Sequence, residues 1–254
     1  MEKKLKSWQG WLLFGGTMVV VFVLGMIAAS VNERHAEVSS VMNNKKTEIT
    51  GIEARNDKFE PNYPREYQTW EATADTSFKS LYNGNQAVDV LEARPEMVIL
   101  WAGYAFSKDY STPRGHMYAI EDMRNTLRVG APMTENEGPQ PATCWTCKSP
   151  DVPRMMQAMG VDNFYKGKWA SLGKEIVNPI GCADCHEPEN MNLHISRPAL
   201  IEAFQRQGKD ITKATQQEMR SLVCAQCHVE YYFKGDGKYL TFPWDKGSTV
   251  EDME

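Results

Sequence analysis

The sequence predicts a mainly α-helical protein with long loops, on three observations. From about Thr69 onward the apolar residues recur mostly at helical spacing. Strand-like alternation is short and scattered. There is no G-x-G-x-x-G, no P-loop and no G-x-S-x-G, which removes the commonest nucleotide-binding and serine-hydrolase readings. The bulk composition is that of a soluble globular protein: 254 residues, 42% hydrophobic and 24% charged, are enough for one large domain or two small ones.

The first thirty residues depart from that average. Lys3, Lys4 and Lys6 precede an uncharged run from Trp8 to Ser30 that ends in Ala28, Ala29 and Ser30. This is the pattern of an export signal or an N-terminal membrane anchor, and the run approaches the roughly 20 residues that span a bilayer. In both cases the positive flank stays inside. Residues 31–254 are then expected in the periplasm or on the outer face of the cytoplasmic membrane. Residues 1–29 hold three Lys and one Glu, so without them the net charge moves from -5 to -7, which argues against a nucleic-acid partner.

Residues 31–65 are polar and include Pro61 and Pro64, the composition of a spacer, and the folded portion is expected over 66–254. Within it, Pro95 to Ser107 reads as a helix, with Pro95 in the first turn and Val98, Trp101 and Ala105 on a core face. A second helix is expected from His116 to Arg128, with Ile120, Met123 and Leu127 along one side and Gly130 and Pro132 as stop signals. Its ends lie roughly 18 Å apart, so His116 and Arg128 would serve different centres. Further helices are expected from Val152 to Met159 and from Pro198 to Gln207.

The six cysteines fall into three C-x-x-C pairs, 38 and 42 residues apart, with no similarity between the intervening stretches. Two of them, Cys182-Ala183-Asp184-Cys185-His186 and Cys224-Ala225-Gln226-Cys227-His228, have the form C-x-x-C-H. Two thiols at this spacing can add to the two vinyl groups of one haem, and the histidine that follows can ligate its iron. Paired thiols also suit zinc, but zinc does not explain the two histidines. The third motif, Cys144-Trp145-Thr146-Cys147-Lys148, offers a lysine instead. A neutral amine can bind iron, and with the opposite face open such a haem would receive a substrate. The plainer alternative is a surface lysine beside a damaged haem motif.

These residues carry a resemblance. Arg114-Gly115-His116, Thr126-Leu127-Arg128, Gly130-Ala131-Pro132, Ala142-Thr143-Cys144-Trp145-Thr146-Cys147-Lys148 and Cys224-Ala225-Gln226-Cys227-His228-Val229-Glu230-Tyr231-Tyr232 resemble the catalytic subunit of the ammonia-forming, pentahaem cytochrome c nitrite reductases. The resemblance implies a multihaem c-type cytochrome whose haems form much of the core, with three covalent haem c groups in this chain. It implies that Lys148 is the proximal ligand of the active-site haem, that His186 and His228 ligate two relay haems, and that His116 is the distal ligand of the haem on Cys224 and Cys227. Arg128 and Tyr231 would face nitrite, and Glu230 with the backbone of Tyr231 would hold calcium. Arg128 supplies fixed positive charge for an oxyanion, and Tyr231 can donate a proton.

The implied partners are a membrane quinol dehydrogenase cytochrome or other electron donor, and a second copy in a homodimer of the complete protein. The family carries two more C-x-x-C-H haems, a catalytic histidine and a long helical region that this chain lacks, and Ser248-Thr249-Val250-Glu251 has the form of a capping box that opens a helix. A truncated product or fragment is therefore expected. The haem on Cys182 and Cys185 would lack its distal histidine, for which His194 is a candidate, although a surface histidine is the plainer reading. His35 has no assigned role. The competing function is a trihaem electron carrier without catalysis, which would not need Lys148 and Arg128.

Overall fold

The structure is a computed structural model that describes residues 7–43, 45–79, 81, 86–101, 114–125 and 140–253. It divides into two units, Met1–Lys46 and Thr47–Glu254.

The first unit is helix α1, Ser7–Asn43, long and apolar enough over Ser7–Ser40 to cross a membrane. At 1.5 Å per residue it extends about 55 Å. It runs well past the expected boundary at residue 30 because no Gly or Pro interrupts Val31–Asn43, while Glu33, Arg34, Ala36 and Glu37 favour helix. His35 lies exposed on this helix.

In the second unit, residues 47–65 are not the solvated spacer that their composition predicted. Phe59 is fully buried, and Ile49, Ala54 and Tyr63 are buried with it. The Asn62 carboxamide closes the segment, accepting from the Thr47 amide (3.0 Å) and donating to the Thr47 carbonyl (2.8 Å). A few well-spaced apolar residues thus outweigh a polar average, because each buried aromatic or aliphatic side chain contributes about 1.5–3 kcal/mol.

Helix α2, Pro64–Glu71, begins on a proline, whose fixed φ and missing N–H suit a first turn. Helix α3, Val90–Ala93, is capped by Asp89, which accepts from the Glu92 amide. A 3₁₀ turn at Pro95–Met97 leads into α4, Val98–Trp101. The helix expected to run to Ser107 is described only this far, with Ala105 outside the described residues. Val98, expected in the core, is half exposed.

A 3₁₀ turn at His116–Tyr118 follows Gly115, whose φ of 88° favours glycine, and continues into α5, Ala119–Asn125. Ile120 and Met123 are buried, as their spacing predicted, and Leu127 lies outside the described residues. Arg114 anchors this segment, binding Asp122 through Nε (2.9 Å) and Nη2 (2.6 Å) and stacking 3.9 Å over the Tyr118 ring.

Helices α6, Asp151–Met159, and α7, Val161–Lys166, are separated by Gly160 at φ 86°. Then come α8, Trp169–Leu172, α9, Cys182–Cys185, and α10, Pro198–Arg206, which ends within a residue of its expected bound. Helix α11, Gln216–Ala225, opens on a capping box in which the Thr215 hydroxyl accepts from the Glu218 amide and the Glu218 carboxylate accepts from the Thr215 amide. A two-stranded antiparallel hairpin, β1 Tyr232–Lys234 and β2 Tyr239–Thr241, pairs Phe233 with Leu240. Near the end of the chain the Asp252 carboxylate accepts from the Thr249 amide and hydroxyl, one residue beyond the expected capping box, in a turn rather than at a helix start.

The helix-and-loop expectation therefore holds for the described residues. Their core gathers Trp145, Val152, Phe164, Tyr165, Trp169, Ile176, Leu200 and Phe242 from separate elements. Trp145 and Trp169 stack at 4.6 Å and 9°, and the Trp145 indole donates to the Trp169 carbonyl (2.9 Å).

A close approach outside this cluster positions α9. The Asn56 carboxamide accepts from the Cys182 amide (2.9 Å) and donates to the Pro179 carbonyl (3.1 Å), so it lies against Gly181. A Cβ at 181 would overlap this bonded side chain. Gly181→Ala is expected to destabilise the chain by about 1–3 kcal/mol, read as a lower unfolding midpoint, with Gly208→Ala as a control for which only backbone strain is at issue because its Cβ meets nothing within 4 Å.

Candidate functional site

The three cysteine motifs sit at the ends of short elements rather than inside long helices. The first occupies the 3₁₀ helix Ala142–Trp145 and the turn after it, held in place because Trp145 is buried in the core and the Thr143 hydroxyl donates to the Lys238 carbonyl (2.6 Å). The second forms α9, and the third closes α11. None of the six cysteines is in a disulfide. Among the described residues no three His, Cys, Asp or Glu side chains gather into a metal-binding group.

The first motif opens on a cavity of about 320 Å³ lined by Cys144, Lys148, Tyr231 and Tyr232 together with Gln140 and Met123. Lys148, expected as the proximal ligand, and Tyr231, expected to face the substrate, thus line the same cavity. The cause is the hairpin. It follows the third motif directly, and its turn, where Lys238 takes a φ of 52°, is tied to Thr143. Tyr231 stacks on Phe233 at 5.7 Å and remains 45% exposed.

The third motif ends at His228, whose ring centre is 6.1 Å from that of His116 at an interplanar angle of 43°. These residues are 112 positions apart in sequence. Partial burial, and then the neighbouring His228 ring, hold the His116 imidazole below its ordinary pKa.

The second motif borders a larger cleft of about 680 Å³, lined by His186, Leu193 and residues of the 212–220 segment. His186 Nδ1 is 2.8 Å from the Met191 carbonyl. That bond makes Nδ1 the protonated nitrogen and leaves the Nε2 lone pair for a ligand. Met191 takes a φ of 59°, unusual for a side-chain-bearing residue, within the tight turn that closes between Glu187 and Asn192.

The thiols differ in their surroundings. A hydrogen bond links Cys147 and Cys227, pulling the first thiol below its usual pKa and pushing the second above it, and the Arg197 guanidinium favours thiolate at both. Burial, and then the Asp184 carboxylate, push Cys185 up to about 11, and burial also raises Cys182.

Other expected residues fare differently. Arg128 lies outside the described residues. Glu230 is exposed, and no larger carboxylate cluster surrounds it among the described residues. His194 is partly buried, with Nδ1 4.0 Å from Glu187. Sequence reasoning passed over Gln140, Met191 and the buried Arg197. Only Asp184, inside a motif, carried any local signal.

The family model for cytochrome c552 matches residues 55–254. The chain belongs to the cytochrome c552 family. It is 99% identical over 254 residues to a cytochrome c-552 of Parabacteroides distasonis and 77% identical to one of Bacteroides fragilis, covering all of this chain and 51% and 52% of those proteins. A cytochrome c-552 of Aliarcobacter butzleri is 49% identical over 251 residues. This cytochrome c552 chain thus spans about half the length of the curated relatives it matches. Its fold is similar to that of the catalytic subunit of cytochrome c nitrite reductase from Desulfovibrio desulfuricans, a protein with two calcium sites. The TM-score is 0.72 at 33% identity, over 82% of this chain and 47% of that one. The resemblance carried by the motifs therefore holds at the level of the family.

Proposed function

We propose that this chain forms the part of an ammonia-forming cytochrome c nitrite reductase in which nitrite is reduced at a lysine-ligated c-type haem, with electrons relayed through histidine-ligated haems. The observation that carries the reading is the cavity shared by Cys144, Lys148 and Tyr231. A pure electron carrier has no need of an open cavity with a proton donor on its wall.

The donor sets suit three haem c groups. His116 and His228, whose ring centres lie 6.1 Å apart, would together hold the haem on Cys224 and Cys227. His186, with Nδ1 bound to a carbonyl, is oriented as metal-ligating histidines are. Its cleft and the cavity at Lys148 both fall in the size range of cofactor pockets. When bound, the haem on Cys144 and Cys147 supplies electrons and an iron site for the nitrogen oxyanion. Lys148 holds that group through its neutral amine. The Tyr231 phenol donates a proton across the cavity, and Arg128 provides the cationic charge that nitrite needs in an otherwise acidic chain. Glu230 and the Tyr231 carbonyl are oxygen donors for calcium, in keeping with the two calcium sites of the Desulfovibrio enzyme.

Helix α1 fits an export signal or anchor that places the catalytic portion outside the cytoplasm, where a quinol dehydrogenase cytochrome or another donor would deliver electrons. The complete protein is expected to pair as a homodimer.

The test is the full-length protein with Lys148→His. Intact mass should show covalent haem on the motifs of this chain in both forms, and ammonium production from nitrite should fall about 10–100-fold, the loss seen when a metal ligand's environment is altered. A protein without covalent haem would overturn the cofactor assignment, an unchanged rate would remove Lys148 from the catalytic role, and a parent protein that forms no ammonium would return the chain to the class of electron carriers.

A further inference from the structure

We infer that Arg197 is a positioning residue that locks the three haem-attachment segments into one mutual geometry. This inference rests on the haem reading above and adds to it a residue outside every motif.

The observation is a convergence. In each C-x-x-C motif the residue immediately before the second cysteine meets Arg197 or its neighbour Ser196. In the first motif, the Thr146 carbonyl accepts from Arg197 Nε (2.9 Å). In the second, the Asp184 carboxylate pairs with Arg197 Nη1 (2.5 Å), and the Asp184 carbonyl accepts from the Ser196 hydroxyl (2.7 Å). In the third, the Gln226 side-chain oxygen accepts from the amides of Ser196 (3.0 Å) and Arg197 (3.1 Å), while its nitrogen donates to the Asp184 carbonyl (2.8 Å). Arg197 Nη2 also donates to the Ser149 carbonyl just past the first motif (2.8 Å).

Arg197 and the side chains of Asp184 and Gln226 are almost completely buried. A guanidinium at such depth is costly unless its nitrogens find acceptors and a carboxylate offsets the charge, and here each nitrogen has a partner while the fork bridges separate segments. Its planar, fixed spread of donors is what allows one side chain to reach Thr146, Ser149 and Asp184 together. The thioether cysteines Cys147, Cys185 and Cys227 each follow directly from a clamped residue, so any shift of the node moves the attachment points of all three haems relative to one another. Electron passage between haems depends on that geometry.

The experiment uses the full-length holoprotein with Arg197→Gln and Arg197→Lys. Haem count by intact mass comes first, followed by the magnetic coupling between haems in the oxidised state and the rate of inter-haem electron redistribution after rapid partial reduction. Both variants are expected to carry the parent's haem count, show altered coupling, and redistribute electrons about tenfold to a hundredfold more slowly, the scale of loss for ångström-sized misplacement of reacting groups. Lysine keeps the charge but not the fork, so parent coupling and rate in Arg197→Lys would overturn positioning in favour of charge alone. Parent values in a fully loaded Arg197→Gln would overturn it as well. Should the glutamine variant fail to accumulate, the lysine variant decides by the same two readouts. A parent protein with no covalent haem would instead sink the underlying haem reading, an outcome that the mass alone distinguishes.

Discussion

Replacing Tyr231 with Phe in the full-length protein is expected to lower nitrite turnover by about 10²–10⁴-fold, the range for losing a positioned proton donor, with the haem count unchanged. Tyr231 and Lys148 both line this cavity, and the Tyr231 ring stacks on Phe233. Removing the oxygen keeps that ring stacking and deletes the proton source. The measurement is the steady-state rate of ammonium formation, with intact mass and the visible spectrum as controls. A variant at the parent rate would exclude Tyr231 from the proton path and leave its aromatic face as its contribution.

The second large effect is on stability. Asp184→Ala removes the carboxylate that faces buried Arg197 and leaves a guanidinium with an uncompensated charge, which costs about 3–5 kcal/mol in other buried pairs. The loss exceeds that of an ordinary cap or surface ion pair because the Asp184 carboxylate also accepts from the Gly181 amide at the start of α9 (2.8 Å). The expected result is a large fall in the denaturation midpoint. The double variant Asp184→Ala with Arg197→Met should recover much of the loss, since an apolar pair leaves no charge buried. Removal of an exposed pair such as Arg55–Asp57, by contrast, should move the midpoint very little.

The two predictions separate what was legible in the linear chain from what was not. Tyr231 and Lys148 were singled out from motifs, and the fold brings them to one cavity because the hairpin returns to Thr143. Asp184 was visible only as a variable position between two cysteines. Nothing near Arg197 in sequence pointed to its burial, since an arginine before Pro198 at the start of α10 reads as a surface residue. Its role comes from contacts with residues 13 to 51 positions away, on the other motifs. The same holds for residues 47–65, where a polar average concealed Phe59 and Tyr63.

By itself the sequence determined the chemistry on offer: three thiol pairs at haem spacing, two followed by histidine and one by lysine, a long apolar N-terminal run, and a mainly helical chain. Those features are local, set by neighbours a few residues apart, and local spacing is what covalent attachment and helix formation require. Only the tertiary structure decided which of these groups face one another. It placed His116 6.1 Å from His228, set Lys148 and Tyr231 in a common cavity, and gathered Thr146, Asp184 and Gln226 around Arg197. The physical reason is that a buried charge and its partners satisfy one another from distant segments, and no periodicity along the chain records which segments burial will bring into contact.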